Sequence, residues 1–169
     1  MSHIVVVYYS RTGKTRWAAG KLAGMLGADL EEIHESSNRD GLLGWLGGVK
    51  DSLKKKQADL ISKHCTQGRT MVIVGMPVWA DGPPPAVRAY LQGVDLAGLA
   101  VCAFTTSGGG KGDKCFAAAA ELVPQGLAKT LHLGKVHPQK SPDKTVAKLQ
   151  EWAASLGDLP VGEEPASPG

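Results

Sequence analysis

Met71-Val72-Ile73-Val74-Gly75 is apolar at every position and ends after five residues. A strand with one wet face alternates apolar and polar side chains. A short run without alternation is covered on both faces, as strands are in a parallel sheet between two helical layers. Ile4-Val5-Val6-Val7-Tyr8-Tyr9 is a second such run, rich in β-branched residues, and Leu99–Phe104 supplies a third. Parallel strands cannot be joined by hairpins, so helices must lie between them. That constraint sets the class as α/β before anything else is read.

The rest of the chain supplies those helices. Lys14–Leu26 carries Ala18, Leu22, Met25 and Leu26 on one stripe and stops at Gly27. Ala28–His34 is a weak strand with acids at Asp29, Glu31 and Glu32, a polarity suited to a sheet edge. Residues 35–68 exceed an ordinary connection and contain a helical pattern of their own, Leu42, Leu46, Val49 and Leu53, with Trp45 beside it. Pro83-Pro84-Pro85 opens a helix whose apolar face is Val87, Tyr90 and Leu91. Asp113–Val123 reads as helix, Leu127–Val136 as the last strand, and Lys144–Leu156 as the last helix after the start signal Ser141-Pro142-Asp143. The segment 157–169 is rich in Pro, Gly, Ser and Glu and reads as a flexible tail.

Composition excludes several function classes. A net charge of +3 on 169 residues is too small for a nucleic-acid-binding protein. No apolar run approaches the ~20 residues that span a bilayer. Met1-Ser2-His3 leads directly into a strand, so no signal peptide is expected and a cytoplasmic protein is the default. Cys65, Cys102 and Cys115 are odd in number and lack paired spacing, which argues against a disulfide framework. No metal-ligand set and no candidate general base stand out, and His3, His34, His64, His132 and His137 are scattered, which suits structural or surface roles. Nothing here specifies an oligomeric state.

Ser10-Arg11-Thr12-Gly13-Lys14-Thr15 joins the first strand to the first helix. Three hydroxyls and free backbone N–H groups meet the positive pole of a helix there, which makes the turn a site for an anion, phosphate above all. The plainer alternative is an ordinary capped turn. The segment is neither the G-x-x-x-x-G-K-[ST] loop of nucleotide triphosphatases nor the G-x-G-x-x-G of dinucleotide folds. Two further loops follow strands three and four: one carries the flat face of Trp79, the other the open backbone of Gly108-Gly109-Gly110.

The form [ST]-x-T-G-x-T at Ser10–Thr15 resembles the phosphate loop of flavodoxins. Gly75-Met76-Pro77-Val78-Trp79-Ala80-Asp81-Gly82-Pro83-Pro84-Pro85 resembles the flavin-ring loop of that family, and Thr105–Gly110 is similar to its third flavin loop. The resemblance spans Ile4–Leu156. It implies a flavodoxin-like three-layer sandwich around a five-stranded parallel sheet of order 2-1-3-4-5, with a helical insertion between the second and third strands. It implies one FMN-binding domain over residues 1–156. The cofactor-binding residues it implies are Ser10, Arg11, Thr12, Gly13, Lys14 and Thr15 for the phosphate, with Pro77, Val78, Trp79, Ala80, Asp81, Gly82, Thr106, Ser107, Gly108, Gly109 and Gly110 for the ring.

Three positions depart from the family pattern. Position 14 is often Asn and is Lys14 here. The third loop lacks the second aromatic and the acidic surroundings of a flavodoxin, and carries Lys111 and Lys114 beyond it. The insertion with Trp45 replaces that cover, or the face stays open to a substrate. Ala80 stands where the family frequently has Gly, and a residue with a Cβ resists positive φ.

The resemblance implies a flavodoxin-like redox protein that transfers electrons through non-covalently bound FMN to a redox partner protein. An NAD(P)H-dependent FMN quinone reductase, using NAD(P)H and a small-molecule acceptor, is the alternative. A flavin-free domain of similar architecture fits less well. A signalling receiver needs an acidic cluster where Tyr8-Tyr9-Ser10 stands, and a low-molecular-weight phosphatase needs a Cys in the first loop.

Overall fold

Five parallel strands, β1 (Ile4–Tyr8), β2 (Asp29–Glu32), β3 (Met71–Pro77), β4 (Ala100–Thr106) and β5 (Lys129–His132), form one sheet of order β2-β1-β3-β4-β5. The computed structural model describes residues 2–34 and 66–159. Within them the helices are α1 (Lys14–Leu26), α2 (Pro85–Gly93), α3 (Asp113–Ala120) and α4 (Pro142–Leu156). The expected sheet order is therefore the observed one. The expected insertion helix and almost all of the expected tail lie outside the described residues.

Each central strand is buried on both faces because its side chains alternate between two cores. Val5, Val7, Val72, Val74, Val101 and Ala103 meet Val87, Tyr90 and Leu91 of α2 and Cys115 and Ala119 of α3. Val6, Ile73, Cys102 and Phe104 meet Ala18, Ala19 and Leu22 of α1 and Leu149, Trp152 and Leu156 of α4. The result is three layers, with α2 and α3 on one side and α1 and α4 on the other. Leu159 packs on the second core, so the chain stays on the body for a turn past α4.

One contact in the second core depends on a missing side chain. Phe104 lies across Gly75 on the neighbouring strand, and a Cβ built on Gly75 would fall 2.6 Å from Phe104 Cε1. Burial raises the Cys102 and Cys115 thiols to about 11, so neither is a thiolate nucleophile at neutral pH.

At the opposite, amino edge, Arg69 is buried and pairs with Asp29 and Glu31 of the edge strand, tying β2 to the start of β3. The guanidinium holds the Asp29 carboxyl below its ordinary range, helped by the Ser2 N–H. Leu30 is exposed and Ile33 is buried, consistent with a polar edge strand.

Several boundaries differ from the sequence expectation. β3 runs through Met76 to Pro77 because Pro77 still pairs with Thr106 in the ladder. Proline is tolerated at that strand end, where no further N–H is needed. β4 correspondingly includes Thr105 and Thr106. β5 stops at His132, since Gly134 takes a φ of 61° and turns the chain. α3 ends at Ala120, ahead of Pro124, and α4 starts two residues early, with Pro142 in its first turn.

Candidate functional site

All strands run the same way, so the loops after β1, β3, β4 and β5 emerge together at the carboxyl edge. β1 lies between β2 and β3, so the chain order reverses there, at the switch point of a doubly wound sheet.

The first loop is built around an uncapped helix. Gly13 precedes α1 with a φ of 87°, a conformation natural to glycine, and a Cβ there would meet nothing within 4 Å. Ser10 Oγ accepts the Gly13 N–H at 3.1 Å and shapes the turn. The N–H groups of the first turn of α1 have no intrahelical acceptor, no side chain caps them, and the turn holds no acid. Arg11, Thr12 and Lys14 are exposed around this positive pole. Thr15 is buried, and its hydroxyl is 2.9 Å from the hydroxyl of Thr106 at the end of β4.

The second loop is a two-residue hairpin. Trp79 N–H donates to Gly82 O at 3.0 Å and Gly82 N–H donates to Trp79 O at 2.8 Å. A connection that short needs positive φ at both central residues to match the twist of its arms. Ala80 accordingly takes 47° and Asp81 63°, so the expectation that Ala80 would avoid positive φ is corrected by the hairpin's closure. The strain is removable. Ala80→Gly should raise stability by about 0.5–1 kcal/mol, the relief of the left-handed Cβ less the extra entropy of the unfolded glycine. A urea-unfolding midpoint that moves down or stays put would contradict this.

Trp79 is half-buried. Tyr9 packs edge-on to it, with centroids 5.5 Å apart and planes at 87°, and the Arg11 guanidinium carbon lies 5.7 Å from its ring centre. Lys114 of α3 reaches Asp81 at 3.1 Å, an exposed pair that joins the second loop to α3. Gly82 is buried against the Arg88 guanidinium.

Of the residues expected for the third loop, Thr106 belongs to β4 and faces Thr15, while Val78 N–H donates to its carbonyl at 2.9 Å. Gly108, Gly109 and Gly110 are exposed. Thr105 and Thr106 point to opposite faces of the sheet: Thr106 reaches back to the first loop, and Thr105 reaches His132 at 2.8 Å. Sequence reasoning missed His132, Tyr9 and Arg88 as parts of this edge. Tyr9 alone carried a signal, its position where the first strand meets the loop.

The molecule is thus a doubly wound α/β sandwich with an uncapped helix N-terminus, an aromatic hairpin and a glycine-rich loop convergent at the switch point. The Flavodoxin family model matches residues 3–155, and the chain belongs to the flavodoxin family. Solved structures agree on the fold. A protein from Bacteroides uniformis, described as a flavoprotein, superposes with a TM-score of 0.61 at 20% identity, over 89% of this chain and 97% of its own. A flavoprotein from Lactobacillus acidophilus, solved in complex with FMN, gives 0.54 at 16% identity, over 83% and 96%. The NAD(P)H:quinone oxidoreductase of Methanothermobacter marburgensis gives 0.58 at 13% identity, over 93% and 96%. No curated protein sequence matches the chain. Among the described residues, no helix is long and apolar enough to cross a membrane.

Proposed function

We propose that the chain is an FMN-binding redox protein that passes electrons from a reductant to an acceptor at the carboxyl edge of its sheet. The observation that carries this reading is the unmet positive pole of α1, set beside the Trp79 hairpin and the open glycine loop. A first turn with no cap, no acid and neighbouring cations is arranged for an anion. A phosphate held by the 10–15 loop is a monophosphate fit, since no dinucleotide fingerprint adjoins it.

The residues divide by task. Ser10, Thr12, Thr15 and the N–H groups of 11–15 hold the phosphate, with Arg11 and Lys14 adding charge. Pro77, Val78, Trp79, Ala80, Asp81 and Gly82 offer one wall for the flavin ring. Thr106, Ser107, Gly108, Gly109 and Gly110 offer backbone amides to its polar edge. Bound FMN supplies the redox chemistry, accepting a hydride or single electrons and passing them on. Tyr9 braces Trp79 edge-on, which fixes the wall before anything binds.

A second reading, an NAD(P)H-dependent quinone reductase, draws on two observations. The third loop presents exposed glycines and carries no aromatic residue of its own, and Lys111, Lys114 and Lys135 lie near it. An open face with cations beside it suits an anionic nicotinamide donor and a small acceptor. Anaerobic mixing of the FMN-loaded protein with NADPH or NADH separates the two. Rapid bleaching of the flavin absorbance without another protein supports the reductase. Bleaching only after a separate reductase is added supports the carrier.

A further inference from the structure

We propose that His132 is a positioning residue of this site: as the neutral tautomer protonated on Nε2, it fixes the Ser107–Gly110 loop in the shape that receives the flavin ring. The inference rests on the flavin-binding reading above.

His132 is the last residue of β5, and each ring nitrogen faces a hydroxyl. Nδ1 is 2.8 Å from Thr105 Oγ1 and Nε2 is 3.4 Å from Ser107 Oγ. The proton positions follow by elimination. Ser107 Oγ lies 2.9 Å from the carbonyl of Gly110, which can only accept, so the single hydroxyl proton of Ser107 is committed there. Toward His132, Ser107 can then only accept, so Nε2 carries the proton. Nδ1 is bare and accepts from Thr105. Thr105 is fully buried, so its hydroxyl has no water as a substitute partner. The bonds form a one-way chain, from Thr105 to His132 to Ser107 to the Gly110 carbonyl. A second proton on the ring would turn Nδ1–H toward Thr105 and displace the proton that Thr105 donates.

The remainder of the loop closes on the same ring. Gly112, at the start of α3, lies so near that a Cβ there would fall 2.8 Å from Thr105 Oγ1 and 2.9 Å from His132 Nδ1. Ser107 N–H donates to Gly134 O at 3.0 Å, and Leu133 N–H to Thr105 O at 2.9 Å. Residues 105, 107 and 112 therefore all converge on His132 or its immediate neighbours. Three exposed glycines between these points would otherwise sample many conformations, and ordering them at the moment of binding would weaken it. His132 orders them beforehand, without touching the ligand.

The test is a double-mutant cycle on the full chain, titrating FMN and riboflavin into wild type, Ser107→Ala, His132→Ala and the double variant. Each single change is expected to weaken both flavins alike, by about 3- to 10-fold, the worth of an ordinary hydrogen bond. The double variant should be no weaker than the worse single one, because the two residues act through one chain. Ser107→Ala leaves the Thr105–His132 bond intact, so it keeps the test open if His132→Ala does not fold. Nitrogen-15 NMR of the flavin-free protein should find His132 protonated on Nε2 alone. Independent, additive losses, a loss confined to FMN, no change in affinity, or a proton on Nδ1 would each overturn the proposal. Failure of the wild type to bind either flavin overturns the parent reading first and this one with it, whereas the tautomer is measured independently of any ligand.

Discussion

Thr12→Ala is expected to weaken FMN binding by about 1.5–3 kcal/mol, the worth of a hydrogen bond to a charged group, and to leave riboflavin binding almost unchanged. Thr12 is exposed on the loop at the positive pole of α1, so removing its hydroxyl empties no part of the core. Riboflavin lacks the phosphate, so by the proposed function it does not engage this loop. Thr15→Val should show the same FMN-selective loss with an added one. Its hydroxyl is half of a buried pair with Thr106, and deleting one partner strands the other at a cost of about 1–3 kcal/mol in stability. The two variants therefore separate by their unfolding midpoints and agree in their ligand selectivity. Equal loss of FMN and riboflavin in Thr12→Ala would show that the residue supports the fold and not the phosphate.

Gly75→Ala is expected to destabilise the protein by about 1–3 kcal/mol through overpacking. The added methyl would sit against the ring of Phe104, which is fully buried between β4 and the α1/α4 layer. The identity of the cause is checkable. Phe104→Leu alone should cost stability by leaving a cavity, yet in the Gly75→Ala background it should recover part of the loss, because the smaller side chain makes room. For a chain of this length the single change corresponds to a melting temperature lower by roughly 2–12 °C. Additive destabilisation in the double variant would place the strain elsewhere.

What could be read from the residues alone was whatever depends on local pattern. Runs such as Met71–Gly75 announce burial on both faces, and the stripe through Ala18 and Leu22 announces a helix, because each signal lies within a few positions along the chain. The order of the strands is not such a signal, and it came from the resemblance of the three loops to a family. Strand ends escaped for the same reason. Pro77 and Thr106 look like loop residues until their pairing with one another is seen. The contacts that organise the carboxyl edge are longer still, Thr15 to Thr106 and Thr105 to His132, and no periodicity reports them. Ala80 misled because its side chain disfavours positive φ, while the two bonds between Trp79 and Gly82 require it. There the closed hairpin outweighs the local preference of about 1–2 kcal/mol.

By the proposed function, the carboxyl edge holds one FMN per chain through its monophosphate. The direct measurement is to titrate the flavin-free protein with FMN, FAD and riboflavin in parallel, and to release and weigh any ligand that copurifies. Saturation is expected at one FMN per chain, with FMN as the released mass and riboflavin weaker by roughly the strength of the phosphate contacts. Recovery of FAD, equal affinity for FMN and riboflavin, or no uptake of FMN would contradict it.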